Sequence, residues 1–186
     1  MRQWPYSVEA LSNPVVPVGL LAHVKSVLRI DHNELDATLN VHVASAWSEL
    51  DDLNGTLGRS LTRRQWRAKA APGPAIRRLV LPDVVSVDAF AYMDASTGAW
   101  TALTNDELAL LRYDANASDL YVDTSAVRGY VAESWRLTVT AGPAAVPSLA
   151  LDAAACRTQL IYEGPSPQWQ ALYEHHLARL RLNPGG

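Results

Sequence analysis

Leu28-Arg29-Ile30-Asp31-His32-Asn33-Glu34, with the run from Leu35 to Leu57 behind it, is the stretch whose reading decides the fold. Apolar residues recur at Leu35, Leu39, Val43, Trp47, Leu50, Leu53 and Leu57. Steps of three and four set them on one stripe of a helix of roughly six turns. The other face carries Glu34, Asp36, Asn40, Ser45, Glu49 and Asp52, which belong in water. Asn33 is the expected cap at the start, and Gly58 stands where a glycine closes a helix past its last turn. A stripe that long must be covered by partner helices or by a second chain.

Upstream, 19–28 reads as a short helix with Leu20 or Leu21, Val24 and Val27 or Leu28 inward, so 17–58 forms a helical hairpin. Residues 1–16, broken by Pro5 and Pro14, read as an extended arm. Its Trp4, Tyr6 and Leu11 dock either on a neighbour or on the chain's own domain. Downstream, 59–142 changes character and reads as a β-rich insert. Strands are expected at 62–70, 76–81, 84–93 and 99–103, then near 110–113 and 120–122. Ala71-Pro72-Gly73-Pro74 and Asp94 to Gly98 mark turns. The clearest strand is 133–141, where Trp135, Leu137 and Val139 alternate with Ser134, Arg136, Thr138 and Thr140. Helices return within 143–164, where one runs from Pro147 to about Glu163, and within 165–186. Leu149, Ala153, Cys156 and Leu160 line the first, and Ser166-Pro167 is a start signal for the second. Asn183-Pro184-Gly185-Gly186 stops the last helix. The expected fold is α+β: a helical hairpin plus two C-terminal helices, a four-helix region, interrupted by the β-rich insert.

The 186 residues suffice for a sizeable core. Charged residues make up only 19% and there are six Trp, a surface composition suited to being covered by partners. A net charge of −3 argues against a surface that grips nucleic acid all round. The single Cys156 leaves no internal disulfide, no apolar run spans a bilayer, and no export signal is expected.

Chemistry is not what the residues advertise. His23, His32, His42, His175 and His176 lack a carboxylate or cysteine at metal-ligand spacing, and Cys156 lies on an apolar helical face. No phosphate loop, serine elbow or paired-carboxylate motif is present, and Asp51-Asp52 and Asp31 with Glu34 read as solvated helix ends. No catalytic residue, metal or cofactor is expected. One charge feature stands out. No acidic residue falls between Asp52 and Asp83, while Arg59, Arg63, Arg64, Arg67, Lys69, Arg77 and Arg78 all do. Strand alternation sets Arg63, Gln65, Arg67 and Lys69 on one face with Trp66 on the other. Such a ribbon meets an acidic neighbour or nucleic acid, or is a solvated sheet face.

Several phrases in a fixed order resemble the head–tail connector (adaptor, or head-completion) proteins of long-tailed bacteriophages, prophages and gene transfer agents. They are Pro17-Val18 with Leu21 and Lys25, Leu28-Arg29-Ile30-Asp31 with Asp36, Gly58-Arg59-Ser60-Leu61 and Gln65-Trp66. Leu81-Pro82, Val85-Ser86-Val87, Tyr92-Met93-Asp94, Val139-Thr140-Ala141-Gly142 and Val146-Pro147 through Tyr162-Glu163 complete the set. The resemblance spans roughly 14–164. Gly19 stands where the family usually has a Ser or Thr cap. It implies a non-enzymatic structural protein in the neck of a virion or phage-like particle assembled in the bacterial cytoplasm. Such subunits form a ring of about twelve under the portal, whose closure needs two complementary faces. The ring extends the DNA channel, through which packaged DNA passes without specific binding, and carries a stopper or tail-side neck protein. The resemblance also implies a portal-docking C-terminal segment. By position this is Trp169, Leu172, Tyr173, His176, Leu177, Leu180, Arg181 and Leu182. The basic residues Arg59 to Arg78 then suit an intersubunit or acidic-partner contact. The alternatives are a nucleic-acid-binding accessory protein using 59–78, and another neck ring such as a stopper.

Overall fold

The computed structural model describes residues 6–70, 76–115, 119–124 and 132–182, and the side chains of Ile76, Arg77, Ala132, Glu133 and Leu182 are outside that description. The expected turn at 71–74, Trp4 and the 183–186 stop lie outside the described residues. The chain divides into two units, one of residues 1–13 and 63–142, the other of 14–62 and 143–186. The fold is mixed α+β with antiparallel sheets.

The helical unit holds α1 (Leu20–Leu28), α2 (Asp36–Leu50), α4 (Ser148–Tyr162) and α5 (Pro167–Leu182). α4 is its axle. Ala150, Ala153, Ala154, Ala155 and Cys156 are all buried, and these small side chains let α1, α2 and α5 all pack on the same helix. Leu20 and Val24 of α1, Val43, Trp47 and Leu50 of α2, and Tyr173, Leu177 and Leu180 of α5 complete one apolar cluster. α1 stops because Arg29 turns left-handed (φ 57°) and returns its N–H to Lys25 and Ser26.

α2 is shorter than its periodicity predicts. It ends at Leu50, not Leu57, and Gly58 belongs to the turns beyond. The reason is Asp51. Its fully buried carboxylate accepts from the backbone N–H of Leu61 (2.6 Å) and Thr62 (3.2 Å) and from the hydroxyls of Ser60 and Thr62. That is a solvated helix end only in sequence; in the fold it anchors the returning chain. Gly55 sits so close to the Glu49 carbonyl that a Cβ would fall 2.5 Å from it. Nor is Asn33 the cap of α2: Leu35 precedes the helix without a side-chain cap bond, and the Asn33 amide oxygen accepts from Lys25.

The β unit is built on a five-stranded sheet in the order β1-β2-β8-β4-β5. These strands are β1 (Tyr6–Ala10), β2 (Arg64–Ala70), β8 (Ala132–Ala141), β4 (Val84–Asp94) and β5 (Trp100–Ala102). A three-stranded sheet, β3-β7-β6, comprises β3 (Ile76–Leu79), β7 (Leu120–Asp123) and β6 (Arg112–Ala115). The N-terminal segment expected as an extended arm supplies β1, paired to β2 of the same unit with Glu9 opposite Arg67. Trp66, Ala68, Phe90, Trp135, Leu137 and Val139 are buried on the dry side of the large sheet, and Leu79, Leu120 and Val122 are buried in the small one. A one-turn helix, α3 (Asn105–Leu108), opens on a Thr104–Glu107 capping box.

Candidate functional site

Two surfaces merit description. The first is α5. Its inward stripe, Tyr173, Leu177 and Leu180, is buried within the chain's own helical unit, and Trp169 packs partly against the same cluster. Leu172 points outward, 39% exposed, between exposed Ala171 and His175. Arg181 is exposed and donates to the Thr56 carbonyl at 3.0 Å. Burial pushes the Tyr173 hydroxyl above its ordinary range, against a hydrogen bond with Thr56. His176 is half-buried and its Nδ1 has no hydrogen-bond partner among the described residues. Burial lowers its pKa, Asp152 opposes the shift, and His175 and Arg179 add to it. Asp152 also holds His23 at 2.9 Å.

The second surface is the wet face of the large sheet. The seven basic residues do not form one ribbon. Arg59 belongs to the helical unit, where it is buried and its backbone forms an isolated antiparallel β-bridge with Asp52. Arg63 is exposed, ahead of β2. Arg64 lies on the dry side, its guanidinium 4.2 Å from the Trp66 ring centroid and donating to the Ser12 carbonyl at 3.1 Å. Arg67 and Lys69, on the wet side, are both tied to Glu9 of β1, at 3.4 and 3.0 Å. The Lys69 bond is the main cause holding the Glu9 carboxyl below its usual range. Arg77 lies opposite Val122 in the small sheet, and Arg78 pairs with Asp119 at 2.9 Å.

One residue of this face was not singled out from the sequence. Arg136 of β8 lies with its guanidinium 3.6 Å from the ring centroid of Trp100 on β5. Alternation along β8 shows Arg136 on the wet side, but only the β4–β5 register brings Trp100 across to it.

Among the described residues no group of His, Cys, Asp and Glu side chains is placed to hold a metal ion. Cys156 is buried, and that burial pushes its thiol up to about 11. No helix among the described residues is long and apolar enough to cross a membrane.

No family model matches the chain, and no curated protein does. Among solved structures, one that matches is described as "Neck of empty GTA particle computed with C6 symmetry". The TM-score is 0.63 at 19% identity, over 91% of this chain and 94% of that one. The chain therefore has the fold of a protein from a particle neck, and the resemblance to head–tail connectors holds at the level of fold. The particle in question is a gene transfer agent.

Proposed function

We propose that this chain is a structural head–tail adaptor of a phage-like particle. It assembles as a ring of about twelve copies beneath the portal, extends the DNA channel and offers a platform to the next neck protein. The observation that carries the reading is the shared fold with a neck protein along nearly the whole of both chains. The neighbour's neck was computed with C6 symmetry, which a ring of that size satisfies. In this reading 17–58 acts as a helical hairpin, and with 143–164 it presents 165–186 to the portal. Tyr173, Leu177 and Leu180 fix α5 to the body, while Leu172, the rim of Trp169 and Arg181 meet the portal. A net charge of −3 suits a conduit that DNA slides through, since a strongly cationic wall would hold phosphates. The alternative of a nucleic-acid accessory protein loses support because Arg67, Lys69 and Arg78 are each engaged by a carboxylate of the chain.

The test is to mix the purified chain with portal rings of the same particle and image the product. A ring of the chain capping each portal is expected. A chain that never binds portal, in particles that gain tails normally without it, overturns the reading.

A further inference from the structure

On the wet face of the large sheet, the described charged side chains find partners within the chain, and among them Arg136 is the exception. Arg67 and Lys69 share Glu9, and Gln65 and Thr140 both donate to Asp88. Arg136 stands apart. Its Nε is buried without a hydrogen-bond partner, and among the described residues its guanidinium donates to none. The charges that reach it are Arg67, which repels it, and Glu9, which two other cations already hold. A guanidinium keeps its charge at any physiological pH and presents a planar fork of donors. In Arg136 the Nε is a desolvated donor left unpaired, while the terminal nitrogens are not buried and stay open to a carboxylate that would pair with the fork. The Trp100 ring, 3.6 Å away at its centroid, holds the fork by a cation–π contact. Arginine and tryptophan are also the residue types that dominate interface energetics.

The same unit carries a surface of matching chemistry. Asp106 and Asp114 are exposed and make no ion pair among the described residues. Between them stand Leu110 and Tyr113, 57% and 46% exposed, with Glu107 and the exposed Arg112, so the segment is apolar and, with three carboxylates to one cation, acidic in net. Copies of a chain with net charge −3 repel one another unless a cationic patch on one meets such a segment on the next.

We propose that Arg136, held over the Trp100 ring, anchors a contact between two copies of this chain and takes a carboxylate from segment 104–115 of the neighbouring copy. The contact is head to tail, with different surfaces on the two copies, as a closed ring demands. The proposal rests on the ring reading above. Bidentate pairing on such a fork sets register as well as affinity, and lysine does not replace it.

Full-length chain is assembled on portal rings, and copy–copy association is followed by sedimentation and imaging. Arg136→Glu is expected to weaken association about thirtyfold, the scale of an interface hot spot. Arg136→Lys loses most of that affinity too. The double variant Asp106→Arg with Asp114→Arg, altered only at exposed positions, reads the same contact from the other side and is equally weakened. Combining it with Arg136→Glu restores association. Circular dichroism and unfolding midpoints confirm that each variant is folded. Rings of Arg136→Glu that form as well as wild type overturn this contact alone. A defect that the combination does not rescue also overturns it and gives the carboxylate to the portal or another neighbour. Retention of short duplex DNA that is lost in Arg136→Glu, with rings intact, overturns it in favour of a nucleic-acid surface. A wild-type chain that binds portal only as isolated copies overturns the ring reading and this proposal with it.

Discussion

At the scale of single residues, the fold depends most on a carboxylate that the sequence disguises. Asp51 beside Asp52 has the look of a wet helix end, and only the return of the chain ten residues later buries it. The bonds that define its role join positions no periodicity connects. Asp51→Ala leaves the N–H groups of Leu61 and Thr62 and the Thr62 hydroxyl without this acceptor, while Ser60 keeps the Thr62 carbonyl. A loss of about 3 kcal/mol is expected, read from the midpoint of urea unfolding with the slope unchanged. Asp51→Asn keeps the shape and should lose less. His176 supplies a pH signature. Its pKa is lowered in the fold, so the unfolded chain binds the proton more readily below the ordinary value of 6.5. Its contribution is full above pH 6.5 and declines as the pH falls from there through the lowered folded value. Thermal midpoints measured between pH 8 and 5 should fall more steeply for the wild type than for His176→Phe. Equal slopes would show that the imidazole stays as easily charged inside as outside.

At the scale of elements, the helices were legible and their ends were not. Periodicity located α1, α4 and α5 to within a residue or two, because each buries a face that recurs every three to four positions. The expected α2 overran by about two turns, since Leu53 and Leu57 continue the stripe after the backbone has left the helix. The capping box at Thr104 and Glu107 was present as a pattern, but α3 is too short to announce itself by periodicity. β1 was missed as a strand for a different reason: five residues gain strand character only from pairing with β2, far away in sequence. The split of seven basic residues between two units and three environments was equally invisible, because strand register and sheet order decide it. α5 offers the sharpest test at this scale, since its two faces have different jobs. Leu180, 2% exposed, should cost about 3 kcal/mol when cut to Ala. Leu172→Glu, at 39% exposure, should shift stability by about 0.5 kcal/mol or less while weakening portal binding. If Leu172→Glu binds portal as wild type does, the outer face of α5 is not the docking surface.

At the scale of the whole molecule, the chain passes between its two units near Asn13, Thr62 and Gly142. In the β unit these points gather at one end of one sheet. Arg64 pairs with Ala141, and Leu11 donates to the Gln65 carbonyl at 3.0 Å. The insert thus leaves and returns at neighbouring strands, about 5 Å apart. Every residue of the helical apolar cluster, from Leu20 through Leu61 and from Val146 to Leu180, lies outside the insert. A unit with its own core and with insert ends that meet has the anatomy of an independent folding body. Replacing 63–142 by a short Gly-Ser linker, and starting the chain at Pro14, should therefore leave a helical protein that unfolds cooperatively. The removed β1 belongs with the sheet it pairs. Circular dichroism gives the helical content, and denaturant unfolding gives the cooperativity. The shortened chain should still bind portal through α5 but fail to close a ring, because it lacks both Arg136 and segment 104–115. A shortened chain that melts without a transition would mean that the helices draw their stability from the sheet. A shortened chain that closes rings would move the copy-to-copy contact into the helices.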